Sequence, residues 1–191
     1  MLNFPSRQGV KTRKAHLESQ GFFGYDEYMR VLLFRHADKQ TIGTANPKLS
    51  PLGLQQAEKI LSEVSAKKIP TPQVLLVSPR IRTQQTFEPL SLSVNVKLSV
   101  SPFLNERTTE ESMADFRLRI QEFLVLLQMD YTSNECIYLC THYDWIETFL
   151  SIVECSTDLL QTKYSHWGTA QWMLLDKTDQ WHLIKFDRIS V

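Results

Sequence analysis

The chain has 191 residues, 21 of them basic and 21 acidic, so its formal net charge is zero when the histidines are neutral. This length is typical of one domain with a single core, and the balanced charge excludes a bulk field that would attract nucleic acid or an acidic membrane. No segment approaches the roughly 20 consecutive apolar residues that cross a bilayer, so we expect neither a nucleic-acid partner nor a membrane partner.

The cysteines and the N-terminal residues indicate a compartment. Cys136, Cys140 and Cys155 leave an odd count and form no Cys-x-x-Cys pair, which favours buried thiols in a reducing compartment over a disulfide framework. Basic residues between Arg7 and Lys14 interrupt the stretch where a signal peptide would need an apolar core. We therefore expect a cytoplasmic location.

Residues 1–28 are predicted to be an N-terminal extension, and residues 29–191 a single domain. The extension is basic at first and then aromatic, with Phe22, Phe23 and Tyr25. We interpret it as a tail whose aromatic side chains pack on the domain surface. A lid or a dimer contact is the alternative, and the oligomeric state stays open.

The first predicted strand of the domain is the apolar run at residues 31–34, which ends in Arg35 and His36. Apolar runs of this length are typical of buried strands, and ligands bind at the carboxyl ends of strands in open α/β sheets. An arginine there offers a planar charged fork for phosphate, and a histidine offers a nucleophile near neutral pH. A structural salt bridge is the alternative interpretation of the pair.

A helix is predicted to follow, with Ser50 as its N-cap and Pro51 at its first position. Its apolar residues recur at helical spacing: Leu54, Ala57, Ile60, Leu61 and Val64. A second strand at Val74–Val77 then leads into a helix over residues 80–90, which carries Arg80 and Arg82.

The alternating Val94, Val96 and Leu98 predict a third strand, and Glu106 lies in the loop after it. The next helix is expected to start near Ser112, with Asp115 in a capping-box pattern. Its apolar stripe indicates core packing and consists of Phe116, Ile120, Phe123, Leu124 and Leu127.

The last predicted elements are a strand at residues 137–141 that ends in His142, a helix over 144–153, and two closing strands at 169–175 and 181–186. Strands that alternate with helices indicate a mainly parallel sheet covered on both faces. The predicted fold is therefore a three-layer α/β/α sandwich.

Four predicted strand ends thus supply arginines, histidines and one acid, a combination suited to an anion that also needs a proton. A metal-dependent phosphoesterase is the chemical alternative, because His36-Ala-Asp38 and His142-Tyr-Asp144 are both His-x-Asp pairs. Arg35 beside such a pair would oppose cation binding, so we expect no metal. A cysteine phosphatase is excluded, because no cysteine has an arginine six residues after it.

These motifs together resemble those of the histidine phosphatase superfamily, the phosphoglycerate-mutase-like enzymes. The resemblance runs from about residue 29 to 187 and keeps the motif order. It rests on Arg35-His36, on Leu49-Ser-Pro-Leu-Gly53-Leu-Gln-Gln-Ala57, on Ser78-Pro-x-x-Arg82-x-x-Gln85-Thr86, on Leu104-Asn105-Glu106 and on His142.

The resemblance implies a phosphoglycerate-mutase-like fold, no cofactor, and a phosphohistidine formed on His36. It implies Arg35, Arg82 and a protonated His142 as phosphate-binding groups, with His142 also catalytic. It implies Glu106 as the proton donor; Asp144 is a second candidate, although its position after the strand also fits a helix N-cap. Three further residues are candidates for the rim of the substrate site: Arg80, Arg107 and Tyr143.

Two departures from the family pattern concern small residues. Ala37 stands where a glycine is usual, and Tyr143 follows the second histidine where many members have glycine, which bears on substrate size and access. The implied substrate is a phosphorylated small molecule or a phosphoprotein. Phosphoglycerate-mutase-type transfer and an inactive phospho-binding module are alternatives. Hydrolysis is favoured because the short segment between His36 and Leu49 leaves little to exclude water.

Overall fold

The computed structural model describes residues 28–41, 43–131 and 135–191. The predicted N-terminal extension, apart from Tyr28, lies outside these residues. The strands are β1 (Met29–Arg35), β2 (Val74–Val77), β3 (Leu98–Val100), β4 (Cys136–Thr141), β5 (Gln171–Lys177) and β6 (Trp181–Arg188). The helices are α1 (Pro51–Ser65), α2 (Ile81–Val94), α3 (Met113–Asp130) and α4 (Tyr143–Ile152).

The strands form one sheet in the order β3-β2-β4-β1-β5-β6. β1, β4, β2 and β3 pair in parallel, whereas β5 pairs antiparallel with both β1 and β6. The predicted α/β fold with a mainly parallel central sheet is therefore confirmed. The carboxyl ends of three parallel strands, β1, β4 and β2, lie side by side at one edge.

The sheet has an apolar core on each face, because successive side chains of a strand point to opposite faces. Leu32 and Phe34 of β1 pack in the core that α1 and α2 cover. Val31 and Leu33 pack in the core that α3 and α4 cover. All five residues of the stripe predicted for α3 are buried in this second core: Phe116, Ile120, Phe123, Leu124 and Leu127.

Helix α1 begins as predicted, with the Ser50 side chain accepting a hydrogen bond from the amide of Gly53. Leu54, one of the apolar residues at helical spacing, is 52% exposed. Gly53 and Gln56 are buried instead. A Cβ at Gly53 would lie 1.9 Å from the carbonyl oxygen of Asp38, so only glycine permits this close approach of the helix to the segment after β1.

The third strand lies later in the chain than predicted. Helix α2 continues past Leu90 to Val94 and ends at Asn95, whose φ of 54° is left-handed. Ser91 holds this turn, because its hydroxyl donates to the carbonyl of Val96. The alternating valines therefore span a helix end and its cap, and β3 begins only at Leu98.

The three thiols are free, and Cys136 and Cys140 are buried in the core under α1 and α2, as expected for residues four apart on one strand. Burial raises the pKa of Cys136 to about 12, so this thiol is a poor nucleophile. Over the described part of the chain, no helix is both long enough and apolar enough to cross a membrane.

Candidate active site

The carboxyl ends of β1, β4 and β2 bring the predicted residues together. Arg35 is the last residue of β1 and His36 follows it. His142 follows β4, and Ser78 follows β2. The rings of His36 and His142 meet edge to face with their centroids 5.4 Å apart. The two histidines that the sequence places more than 100 positions apart are thus neighbours.

His36 is held as a neutral imidazole with one free nitrogen. Its Nδ1 lies 2.7 Å from the carbonyl oxygen of Ala37, and because a carbonyl only accepts, Nδ1 carries the proton and donates. The pKa of His36 is lowered to about 3. Burial is the largest cause, and the charges of Arg82 and Arg35 lower it further. Its Nε2 therefore has an available lone pair at neutral pH.

The segment after His36 is fixed by side chains of α1 and α2. The amide of Ala37 donates to Thr86 Oγ1 (3.0 Å), and the amide of Asp38 donates to Gln56 Oε1 (2.8 Å). Ser50 Oγ donates to Asp38 Oδ2. These bonds fix the carbonyl that sets the tautomer of His36.

Two arginines lie beside the histidines. Arg82 is 2% exposed and its Nη2 is 3.1 Å from His142 Nδ1. Arg35 donates to the carbonyl of Trp167, and its guanidinium lies over the ring of Tyr143, 5.3 Å from the centroid. Burial lowers the pKa of both arginines from their usual high value.

Glu106 lies between the arginines and His142. Its carboxylate pairs with Arg82 and with Arg80 (2.9 Å to Nη2), and Oε2 is 3.5 Å from His142 Nδ1. Within the described residues, the buried Nε atoms of Arg35, Arg80 and Arg82 have no hydrogen-bond partner. The site therefore combines one acid with three guanidinium groups that keep donor capacity for an anion.

The ring of His142 is neutral here, and the resemblance implies a protonated ring only around a bound phosphoryl group. Its pKa is lowered to about 2. Burial is the largest cause, and the charge of Arg82 is the next. Because an arginine only donates, Nδ1 of His142 accepts from Arg82, and the ring proton lies on Nε2. The sequence could not supply this result, since it depends on how completely the ring is buried.

Ser78 is a residue of the site that sequence reasoning did not identify. It is fully buried, and its Oγ lies 2.8 Å from His142 Nε2, from which it accepts. Its hydroxyl also contacts Thr83 Oγ1 at 3.0 Å, and it accepts from the amide of Arg80. Its position in the Ser-Pro-x-x-Arg motif is the sequence feature that could have identified it as a residue of the site.

The remaining candidates have other environments. Asp144 is not the N-cap of α4, because that position belongs to His142. The carboxylate of Asp144 instead accepts from the amides of Trp145 (2.9 Å) and Arg107 (2.8 Å). Arg107 is exposed, and its guanidinium donates to the carbonyl of Glu111.

The His-x-Asp pairs do not form a chelating group. Asp38 accepts from Ser50, and both oxygens of Asp144 accept from amides. Across residues 28–41, 43–131 and 135–191, no cluster of three His, Cys, Asp or Glu side chains could hold a metal ion.

Comparison with known families gives the same assignment. Residues 31–110 match the model of the histidine phosphatase superfamily, branch 1. This stretch of the chain is therefore similar in sequence to the histidine phosphatase superfamily. No curated protein matches its sequence.

Three solved structures share the fold. Phosphoserine phosphatase from Entamoeba histolytica, solved with phosphoserine, is 15% identical with a TM-score of 0.61, over 83% of this chain and 96% of that one. A protein from Agrobacterium tumefaciens described as the phosphohistidine phosphatase SixA is 22% identical with a TM-score of 0.63, over 84% and 98%. A protein from Escherichia coli K-12 described as an alpha-ribazole-5'-P phosphatase is 16% identical with a TM-score of 0.67, over 85% and 98%.

Proposed function

We propose that this protein is a histidine phosphatase of that superfamily, and that it hydrolyses a phosphomonoester or a protein phosphohistidine through a phosphohistidine intermediate on His36. The observation that carries the proposal is the tautomer of His36. Its Nδ1–H donates to the Ala37 carbonyl, which leaves Nε2 as a neutral nucleophile beside two arginines. A neutral imidazole held in this way can attack phosphorus at neutral pH.

Arg35 and Arg82 would bind the phosphoryl group during transfer. Phosphoryl transfer needs positioning and charge stabilisation more than covalent chemistry from the protein. Arg82 pairs with Glu106 and contacts His142. We expect phosphate binding to draw Arg82 towards the anion and to raise the pKa of His142, because nearby negative charge favours the protonated ring.

Glu106 would move the protons. As the Nε2–phosphorus bond forms and the bond to the leaving oxygen breaks, the carboxylic acid of Glu106 gives its proton to that oxygen. In the second half, the Glu106 carboxylate takes a proton from water, which attacks phosphorus. Inorganic phosphate leaves, and Nε2 regains its lone pair. The contacts with Arg82 and His142 support Glu106 over Asp144, whose oxygens are occupied by amides.

Hydrolysis is supported over mutase-type transfer. All three solved structures described above are phosphatases by name. We place the reaction in the cytoplasm, since the three free thiols fit a reducing compartment. The substrate is a phosphorylated small molecule or a phosphoprotein, and residues 29–191 form the catalytic domain.

Phosphate release should be independent of metal ions, because the proposed charge stabilisation comes from Arg35, Arg82 and His142. Purified full-length protein would be assayed on a panel of phosphorylated metabolites and phosphoproteins, before and after exhaustive chelation. We expect equal rates in both states for every substrate that is hydrolysed. Loss of activity on chelation, with recovery on adding a divalent metal, would contradict this mechanism and favour the His-x-Asp interpretation.

A further inference from the structure

One side chain of α3, Arg119, donates hydrogen bonds to the backbone of the loop that carries Glu106. The guanidinium of Arg119 donates through Nη1 to the carbonyls of Phe103 (2.8 Å), Asn105 (3.2 Å) and Pro102 (3.4 Å). Its Nη2 lies 3.4 Å from the carbonyl oxygen of Glu106. One cation thus contacts four backbone carbonyls of a single loop.

The orientation of this guanidinium is itself fixed. Glu111, at the end of the same loop, accepts from Arg119 Nε (2.7 Å) and Nη2 (2.9 Å) in a bidentate pair. The guanidinium carbon also lies 4.8 Å from the ring centroid of Phe116. The Arg119 side chain is only 20% exposed. Such a rigid planar fork holds several acceptors in fixed directions, whereas a lysine offers only three donors on a flexible stem.

The peptide unit between Glu106 and Arg107 is held on both sides. Arg119 contacts its carbonyl, and Asp144 Oδ2 accepts from its amide at 2.8 Å. The Glu106 side chain leaves this unit towards Arg82 and His142. The position of the carboxyl group over the site therefore depends on a backbone that Arg119 holds.

We propose that Arg119 is a positioning residue for proton transfer by Glu106. The inference rests on the proposed function of Glu106 and goes beyond it, because Arg119 has no described contact with the histidines or the phosphate-binding arginines. Displacing a reacting group by about 1 Å can cost on the order of 10²-fold in rate. Weakening the Arg119 contacts should accordingly slow the step that needs the proton and leave the attack by His36 unchanged.

The leaving group separates this role from a purely structural one. A proton donor matters most for an alkyl alcohol and least for an activated phenol, which departs as the anion. If Arg119 only stabilised the fold, its loss would lower activity on both kinds of substrate alike. If it positions Glu106, the loss of activity should be large on the alkyl phosphate and small on the activated aryl phosphate.

The test compares Arg119→Lys with wild type on one alkyl and one activated aryl phosphate. The matched control is Arg117→Lys, on the same helix, because Arg117 donates to Ser151 and not to the loop. We expect Arg119→Lys to lower kcat on the alkyl phosphate by about 10- to 100-fold and to leave the aryl rate nearly unchanged. Glu111→Gln, which loosens the same guanidinium without removing it, should show the same selectivity to a smaller extent, and it carries the test if Arg119→Lys does not fold.

A second readout is the combination with Glu106→Gln. If Arg119 acts through Glu106, adding Arg119→Lys to Glu106→Gln should cause no further loss on the alkyl phosphate. Equal losses on both substrates, or losses that multiply in the double variant, would overturn the proposal. If Glu106→Gln loses activity mainly on the alkyl phosphate while Arg119→Lys loses it equally on both substrates, the positioning role of Arg119 alone is overturned. A Glu106→Gln variant without selectivity would overturn the proposed role of Glu106 and this inference together.

Discussion

His36→Ala is expected to reduce phosphatase activity to background on every substrate. Removal of the covalent nucleophile of a hydrolase lowers kcat by about 10⁶-fold, and the site offers no second neutral imidazole with a free nitrogen. His142 cannot substitute, since its Nδ1 accepts from Arg82 and its Nε2 donates to Ser78. The measurement is phosphate release under single-substrate steady-state conditions.

The fold of the His36→Ala variant should persist, because His36 follows the end of β1 and its side chain makes one hydrogen bond to a neighbouring carbonyl. Circular dichroism and thermal unfolding would establish this. His182→Ala provides the control, since that ring contacts only Thr178 among the hydrogen bonds of the described residues. Wild-type activity in a folded His36→Ala variant would contradict nucleophilic catalysis.

The second large effect is expected for Glu106→Gln. Glutamine keeps the size of the side chain but cannot give up or take a proton. We expect a loss of roughly two to four orders of magnitude in kcat on alkyl phosphates, the range of general acid catalysis, and a much smaller loss on an activated aryl phosphate. The slope of rate against leaving-group pKa would measure this difference across a series of phosphate esters.

Two variants serve as controls for Glu106→Gln. Glu110→Gln changes an exposed acid of the same loop and should leave both rates near wild type. Asp144→Asn keeps an oxygen for the Arg107 amide and should show no dependence on the leaving group. If the activity loss depends on the leaving group in Asp144→Asn and not in Glu106→Gln, the assignment of Glu106 as the proton donor is wrong.

Much of the fold could be predicted because its signals are local. The N-cap at Ser50 and the stripe of α3 are short-range patterns, and both occur as expected. The convergence of Arg35, His36 and His142 also followed from the sequence, since the carboxyl ends of neighbouring parallel strands share one edge. Each of these features depends on a few consecutive residues or on a simple rule of sheet geometry.

The errors arose where one pattern fits two structures. Val94, Val96 and Leu98 alternate as a strand does, but α2 uses the first of them as its last residue. Leu54 fits the helical spacing of α1 and yet is exposed, whereas its neighbour Gly53 is buried against Asp38. Tertiary contacts decided both cases.

The supporting contacts of the site could not be predicted at all. Ser78 meets His142 from 64 positions away, and Asp144 meets the amide of Arg107 from 37 positions away. Arg119 reads as an ordinary charged residue of a helix, and only the folded loop brings four carbonyls to it. The neutral state of His142 likewise follows from burial.

The most direct test of the central claim is to trap the phosphoryl enzyme. Wild-type protein would be mixed with a substrate that it hydrolyses and that carries labelled phosphate. The reaction would be quenched in alkali within the first turnovers, and the labelled residue would be identified by peptide mass spectrometry. We expect one labelled site, His36, with a linkage that is stable in base and lost in acid. Label on any other residue, or steady hydrolysis with no labelled protein at any quench time, would contradict it.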